Sequence, residues 1–198
     1  MKKSTCFLLS LSSLLCCASL AYAEVNTVHL QLPENFSSTA CPSKPWAQTK
    51  VIFQGVKDER GEKQVGEQQQ KKAEPLGIFT EPSLEKIFSN ALQSTFASCG
   101  MVWTKASEDI DYPSLSVSIE DFFVGSNKKW LTGKASAHAQ ITVTLIQDKR
   151  TSSTTITADI DSKKLRQESI KQLQRVLNDL FAQSVTQVLN IQALQELK

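Results

Sequence analysis

The 198-residue chain carries 22 basic and 20 acidic side chains, and its formal excess of +2 resides in Lys2 and Lys3. Setting aside residues 1–23 leaves 20 of each sign, so no basic stripe remains to hold nucleic acid or to dock on anionic lipid. The 40% hydrophobic content and the remaining length suit one domain with a real core.

Residues 1–3 form a short cationic start, and residues 7–20 an apolar run too short for a permanent span, which takes about 20 residues. We therefore expect residues 1–23 to be an export signal and no transmembrane segment to remain. Two processing routes are written into residues 14–24. Ala21-Tyr22-Ala23 has the small-x-small form of a signal peptidase site, with cleavage after Ala23. Lipidation at Cys17 wants small residues just before the cysteine, and Leu14 and Leu15 are bulky there. Cleavage at Ala23 is the favoured expectation, giving a soluble periplasmic protein. Membrane association requires the alternative, a lipid on Cys17.

Residues 24–48 read as an N-terminal strand or arm and a loop, and residues 49–198 as a single α+β domain. Residues 25–32 alternate polar and apolar, and residues 33–45 are rich in turn formers. Residues 50–56 read as an inner strand, with Val51 and Phe53 on one face and Ile52 on the other. Residues 57–74 are charged, Gln-rich and almost free of apolar side chains, which predicts a mobile loop.

The spacing of Leu84, Ile87, Phe88, Ala91, Leu92, Thr95 and Phe96 predicts an amphipathic helix. Thr80 or Glu81 is placed to cap its start, with Pro82 in its first turn and Gly100 at its end. A short edge strand follows over residues 101–104. Period-two patterning then predicts a three-stranded meander. Leu115, Val117 and Ile119 mark its first strand, Ala135 to Leu145 at odd positions its second, and Ile156, Ala158 and Ile160 its third. Residues 163–189 read as a long helix with Leu173, Val176, Leu177, Leu180 and Phe181 on one side, interrupted at Asn190. The predicted fold class is α+β, a mostly antiparallel sheet with two amphipathic helices packed on one face.

Cysteine use suits export. Cys6, Cys16 and Cys17 fall in the signal, leaving Cys41 and Cys99 as an even pair, most simply one disulfide. The alternative is two unrelated buried thiols. A bridge closing that loop would stabilise the fold by roughly 3–4 kcal/mol in the chain-entropy view. Without Cys-x-x-Cys spacing, neither a redox dithiol nor a zinc site is expected.

No catalytic constellation stands out. His29 and His138 read as surface histidines, and Asp58 with Arg60 as a structural ion pair that fixes its loop, because an isolated Asp-x-Arg matches no reaction template. Trp46 and Trp103 read as core or sheet-edge packing. The turn Lys128-Lys129-Trp130-Leu131 is the candidate partner contact, combining an apolar tip with two cations. The expectation is a non-enzymatic protein without cofactor or metal that binds another envelope protein. The second reading is a carrier of a small apolar or amphiphilic ligand, with room under the helices beside Ala135, Ala137 and Ala139.

"VIFQGVKDER", Val65-Gly66, "SLEKIFSNALQSTFASCGMVW" and "LSVSIEDFFVG", in this order ahead of an alternating strand and a C-terminal helix, resemble the YajG-like family of bacterial envelope lipoproteins. The resemblance runs from about Val25 to the C-terminus. It implies an exported α+β protein with no assigned enzymatic activity and supplies no catalytic residues. The chain departs from the family in lacking a clear lipobox cysteine and in carrying the Cys41/Cys99 pair.

The intact mass of the exported protein is expected to correspond to residues 24–198 without lipid, about two daltons lighter than the reduced chain. A mass carrying acyl chains on Cys17 would reverse the choice between the two routes.

Overall fold

The computed structural model describes residues 26–36, 40, 41, 46, 48–70, 74–105, 111–129, 132–165 and 169–197. Ala23, Cys17 and the rest of the expected signal lie outside them, as do Trp130 and Leu131. Eight strands and three helices make up the described chain: β1 Asn26–Val28, β2 Lys50–Asp58, β3 Gly66–Gln68, β4 Leu76–Thr80, α1 Leu84–Ser98, β5 Val102–Thr104, β6 Ser114–Lys129, β7 Thr132–Gln147, β8 Arg150–Leu165, α2 Ile170–Leu189 and α3 Gln192–Gln195.

All eight strands join one sheet built around β6. One edge of β6 pairs along its length with β7, which pairs in turn with β8, and both pairings are antiparallel. Its other edge is shared. β2 pairs with residues 114–119, and β3 takes over at Gly66↔Val124. Beyond them lie β5 on β2, and β4 then β1 on β3.

The α+β class is as expected. The sheet, however, is mixed rather than mostly antiparallel: among the described residues four of its seven strand pairings are parallel. The reason is connectivity. Hairpin turns give antiparallel neighbours, whereas β2 reaches β5 and β6 only after the chain has crossed through α1, and such a crossover returns a strand in the same direction.

The predicted stripe of α1 is the buried one: Leu84, Ile87, Phe88, Ala91, Leu92, Thr95 and Phe96. The helix starts later than the sequence suggested, with Ser83 at its N-cap and Pro82 ahead of it. Gly100 has φ +98°, the conformation expected of the residue closing the end. α2 is shorter than predicted, because residues 163–165 continue β8. The Gln172 side-chain oxygen accepts from the Ser169 N–H at its first turn.

Both long helices lie on the face of the sheet where Leu115, Val117, Ile119, Phe122, Ala135, Ala137 and Ala139 are buried. Phe88 ties the layers together. Its ring meets Phe122 of β6 edge-on at 5.6 Å and Phe181 of α2 at 4.7 Å. A second aromatic group joins Trp46, Phe96, Trp103 and Phe53 in sequence, with neighbouring centroids 5.1–5.6 Å apart. Trp46 and Trp103 thus pack as expected, and each indole N–H finds a carbonyl, Leu194 for Trp46 and Gln93 for Trp103.

Residues 57–74 are not one loop. β2 runs to Asp58, Val65 is fully buried, and β3 begins at Gly66. The signal was hard to see because β3 has three residues and only one apolar neighbour. Gly66 is required by close approach: a Cβ there would strike Val124 Cγ1 and lie 2.8 Å from the Val124 carbonyl oxygen.

Replacing Phe88 by Ala removes the ring that joins α1, α2 and β6, and is expected to lower unfolding stability by about 3–5 kcal/mol. Urea denaturation followed by circular dichroism measures it, and a loss under 1 kcal/mol would contradict the central role of that ring.

Candidate functional site

β2 leaves β6 after Asp58↔Ile119, with the Glu59 N–H still donating to the Ile119 carbonyl at 2.9 Å. β3 joins only at Val124, whose N–H donates to the Val65 carbonyl. Between these points the β6 edge would present a strand carbonyl with no strand beside it. Arg60 fills that gap. Its Nη1 donates to the carbonyls of Phe122 and Gln64, both at 3.0 Å. Its Nε and Nη2 donate in parallel to the two carboxylate oxygens of Asp58, at 2.8 and 2.9 Å. The planar fork of arginine fits this double role, which lysine does not.

Arg60 and Asp58 side chains are 6% and 4% exposed. Lys63 lies 3.1 Å from Asp58 Oδ2, and Glu85 of α1 accepts from the Asp58 N–H. Burial pushes the Asp58 carboxyl up, but hydrogen bonds from Arg60 and Lys63 outweigh it and hold the carboxyl below its ordinary 3.8. The expected ion pair is therefore present, and it spans a seam in the sheet as well as fixing a loop.

Beside the seam is an open recess lined by Arg60, Gln64, Glu120, Asp121, Phe123 and His138. A register shift between Ile119 and Asp121 turns both Glu120 and Asp121 toward the uncovered face. Thr142 and Gln140 donate to Glu120, lowering its carboxyl pKa. His138 Nε2 lies 2.8 Å from Asp121 Oδ2, with both side chains about half exposed. His29 is also at the surface, its Nδ1 2.7 Å from the Glu81 carbonyl. Sequence reading missed the Asp121–His138 and Glu120–Thr142 pairs because the partners are 17 to 22 positions apart and only strand register brings them together.

The chemistry available here is limited. Asp58 and Glu120 are both shifted toward the ionised form, the opposite of what a general acid at neutral pH needs. Among the described residues, no group of three or more His, Cys, Asp or Glu converges to hold a metal. The Ala135, Ala137 and Ala139 row is 0–4% exposed beneath the helices. The recess beside the seam and a second one lined by Ser136, Ala137, His138, Asp159 and Asp161 are lined mainly by polar side chains.

The sulfurs of Cys41 and Cys99 lie at disulfide distance, with Cα atoms 5.4 Å apart. The same corner is held by backbone bonds from Trp46 to the Cys99 carbonyl and from Gln48 to the Gly100 carbonyl. Lys128 and Lys129 end β6, where Lys129 pairs with Thr132. Trp130 and Leu131, between them in sequence, are outside the described residues. No helix among the described residues is long and apolar enough to cross a membrane.

The chain belongs to a family of uncharacterised lipoproteins, whose sequence model matches residues 39–197. This agrees with the YajG-like resemblance read from the sequence. No curated protein matches the chain. In fold it is similar to the crystal structure of protein XCC0632 from Xanthomonas campestris, of the DUF330 family, at 12% identity and a TM-score of 0.56, covering 84% of this chain and 93% of that one. A second similar crystal structure, of an uncharacterised protein, gives 13% identity, a TM-score of 0.51, and coverage of 84% and 97%. At such identities the likeness concerns the fold alone.

Arg60→Ala leaves Asp58 without its main partner and is expected to destabilise the fold by about 3 kcal/mol at pH 7. A carboxyl held low when folded contributes stability above its unfolded pKa and loses it as pH falls through the folded value. Wild type should therefore weaken below about pH 3.8, and its advantage over Arg60→Ala should shrink there. Urea titrations at pH 7 and pH 3 test this, and a gap that stays constant would show that the pair does not carry the difference.

Proposed function

We propose that the protein is an exported, non-catalytic module of the cell envelope that binds another envelope protein through the end of the β6–β7 hairpin, Lys128, Lys129, Trp130 and Leu131. Membership of a lipoprotein family supports the export reading. The observation that carries the rest is that the titratable side chains gathered beside the seam are engaged in architecture. Asp58 and Arg60 close the sheet seam, and Glu120, Asp121 and His138 bond to one another's strands.

Strand pairing supports the choice of contact. The strands of this hairpin stay paired as far as Lys129↔Thr132, the last pair before the turn. In sequence this turn brings together a tryptophan, a leucine and two lysines, an apolar anchor with cations beside it. A pocket for the indole with an acidic rim is the complementary partner surface. We further read Cys41 and Cys99 as an oxidised pair, in keeping with an exported chain. The family match begins at residue 39, so the choice between cleavage at Ala23 and lipidation at Cys17 rests on the intact mass.

Trp130→Ala combined with Lys129→Ala is expected to weaken capture of the envelope partner by about thirtyfold or more, the loss typical of an interface anchor, with an unchanged melting temperature. Affinity capture from solubilised envelope followed by mass spectrometry provides the readout. Equal recovery of the same partner by wild type and variant would rule out the hairpin end as the contact.

A further inference from the structure

One row of paired residues runs across six strands: Asn26 of β1, Ile78 of β4, Gly66 of β3, Val124 of β6, Ala137 of β7 and Ile160 of β8. β1 is parallel to β4, β4 antiparallel to β3, and β3 parallel to β6, so β1 runs opposite to β6 and β8. The chain therefore enters the sheet at Asn26 from the side toward which β6 and β8 run on to Lys129 and Leu165. Whatever precedes β1 is joined to the body at this end.

The same end collects positive charge. Beyond the row Ser126, Ala135 and Ser162, the strands β6, β7 and β8 carry Lys128, Lys129, Lys134, Lys163 and Lys164 and no acidic residue. The pairings Asn127↔Lys134, Lys128↔Gly133 and Gly133↔Leu165 hold these positions within about three rows of each other. Asp159 and Asp161 come before that region, level with His138 and Ser136. The balanced composition argues against lipid docking only while charge is taken as evenly spread. These strands are sixteen residues long, roughly 50 Å, and a surface touching one end does not feel the other through a Debye length of about 8 Å.

We propose that this end of the sheet docks on the anionic phospholipid headgroups of a membrane, with the five lysines supplying the attraction. Membership of a lipoprotein family brings a membrane into the protein's surroundings. The geometry suits a tether as well. Residues 18–25 separate Cys17 from Asn26 and reach at most about 30 Å, whereas Lys129 is five residues, about 17 Å, past the Asn26 row. A lipid on Cys17 would leave enough chain for the lysine end to rest on the surface. A chain released at Ala23 keeps the lysines alone, each strengthening attachment about fivefold. This contact stands independently of the protein contact proposed above. Lys134, Lys163 and Lys164 belong to it alone, and a partner met by the hairpin end would lie at the membrane surface.

The purified exported protein, with Cys41 and Cys99 left intact, is expected to sediment with vesicles made of equal parts phosphatidylglycerol and phosphatidylcholine but not with phosphatidylcholine alone. Salt at about 0.5 M should release it. Lys134→Gln, Lys163→Gln and Lys164→Gln together should weaken binding about a hundredfold at an unchanged melting temperature. Lys50→Gln, Lys149→Gln and Arg150→Gln remove the same charge from exposed positions at the opposite end, and should cost less than about threefold. Amide exchange of the wild-type protein gives a check free of variants: vesicles should slow it in residues 126–134 and 162–165 and not in 147–152. Equal binding to both kinds of vesicle overturns the proposal, as do equal losses in the two triple variants or protection at 147–152 instead. So does a Lys134, Lys163 and Lys164 variant that holds vesicles normally but no longer captures the envelope partner, because those lysines then serve the protein contact.

Discussion

The architecture depends on one arginine standing in for a piece of strand. β6 is longer than either neighbour on its inner edge, so β2 and β3 must divide that edge, and the division exposes a carbonyl at Phe122. An unpaired backbone acceptor next to a core is expensive, and water reaching it would also reach Phe122, whose ring is fully buried under Phe88. Arg60 caps the carbonyl, and Asp58 holds the guanidinium flat against it. The branched sheet is possible because this patch is polar on its own terms.

A consequence follows for the family pattern. Asp58, Arg60, Val65 and Gly66 are the same few residues that made the sequence resemble an envelope lipoprotein family, and they converge on the seam. The two residues of the Asp-x-Arg motif face each other across a single position, Val65 links β3 to both Val124 and Ile78, and Gly66 lets the backbones close. The signature is one of topology. Similar folds in proteins only 12–13% identical are consistent with an architecture set by such a joint together with an amphipathic pattern.

What was legible in the sequence follows from the range of the interactions involved. The α1 stripe and the odd-numbered faces of β6 and β7 were read correctly because burial imposes a period on consecutive residues, and a period survives without knowledge of partners. Strand direction did not, since it is set by what lies between strands. β3 and β4 escaped because three and five residues are too few to show a period. Residues 163–165 were given to the helix because three residues carry no period of their own, and only pairing at Gly133↔Leu165 decides. On the candidate site, the Asp58–Arg60 pair was foreseen as an ion pair, but the Phe122 carbonyl it serves is 62 positions away and left no trace in the local pattern.

The arm that precedes β2 is fastened to the middle of the chain, where β1 pairs with β4 and the Trp46 N–H donates to the Cys99 carbonyl, and also to its far end. The His29 carbonyl accepts from Gln174, the Gln31 N–H donates to Asn178, and the Trp46 indole donates to the Leu194 carbonyl, across separations of 145 to 148 residues. Contacts of that range close the largest loops the chain can make and so form late in folding. A segment made early in synthesis thereby receives part of its seat only from residues made near the end. Until the C-terminal helices arrive, the arm can pair with β4 but lacks the hydrogen bonds to Gln174, Asn178 and Leu194 that complete its attachment.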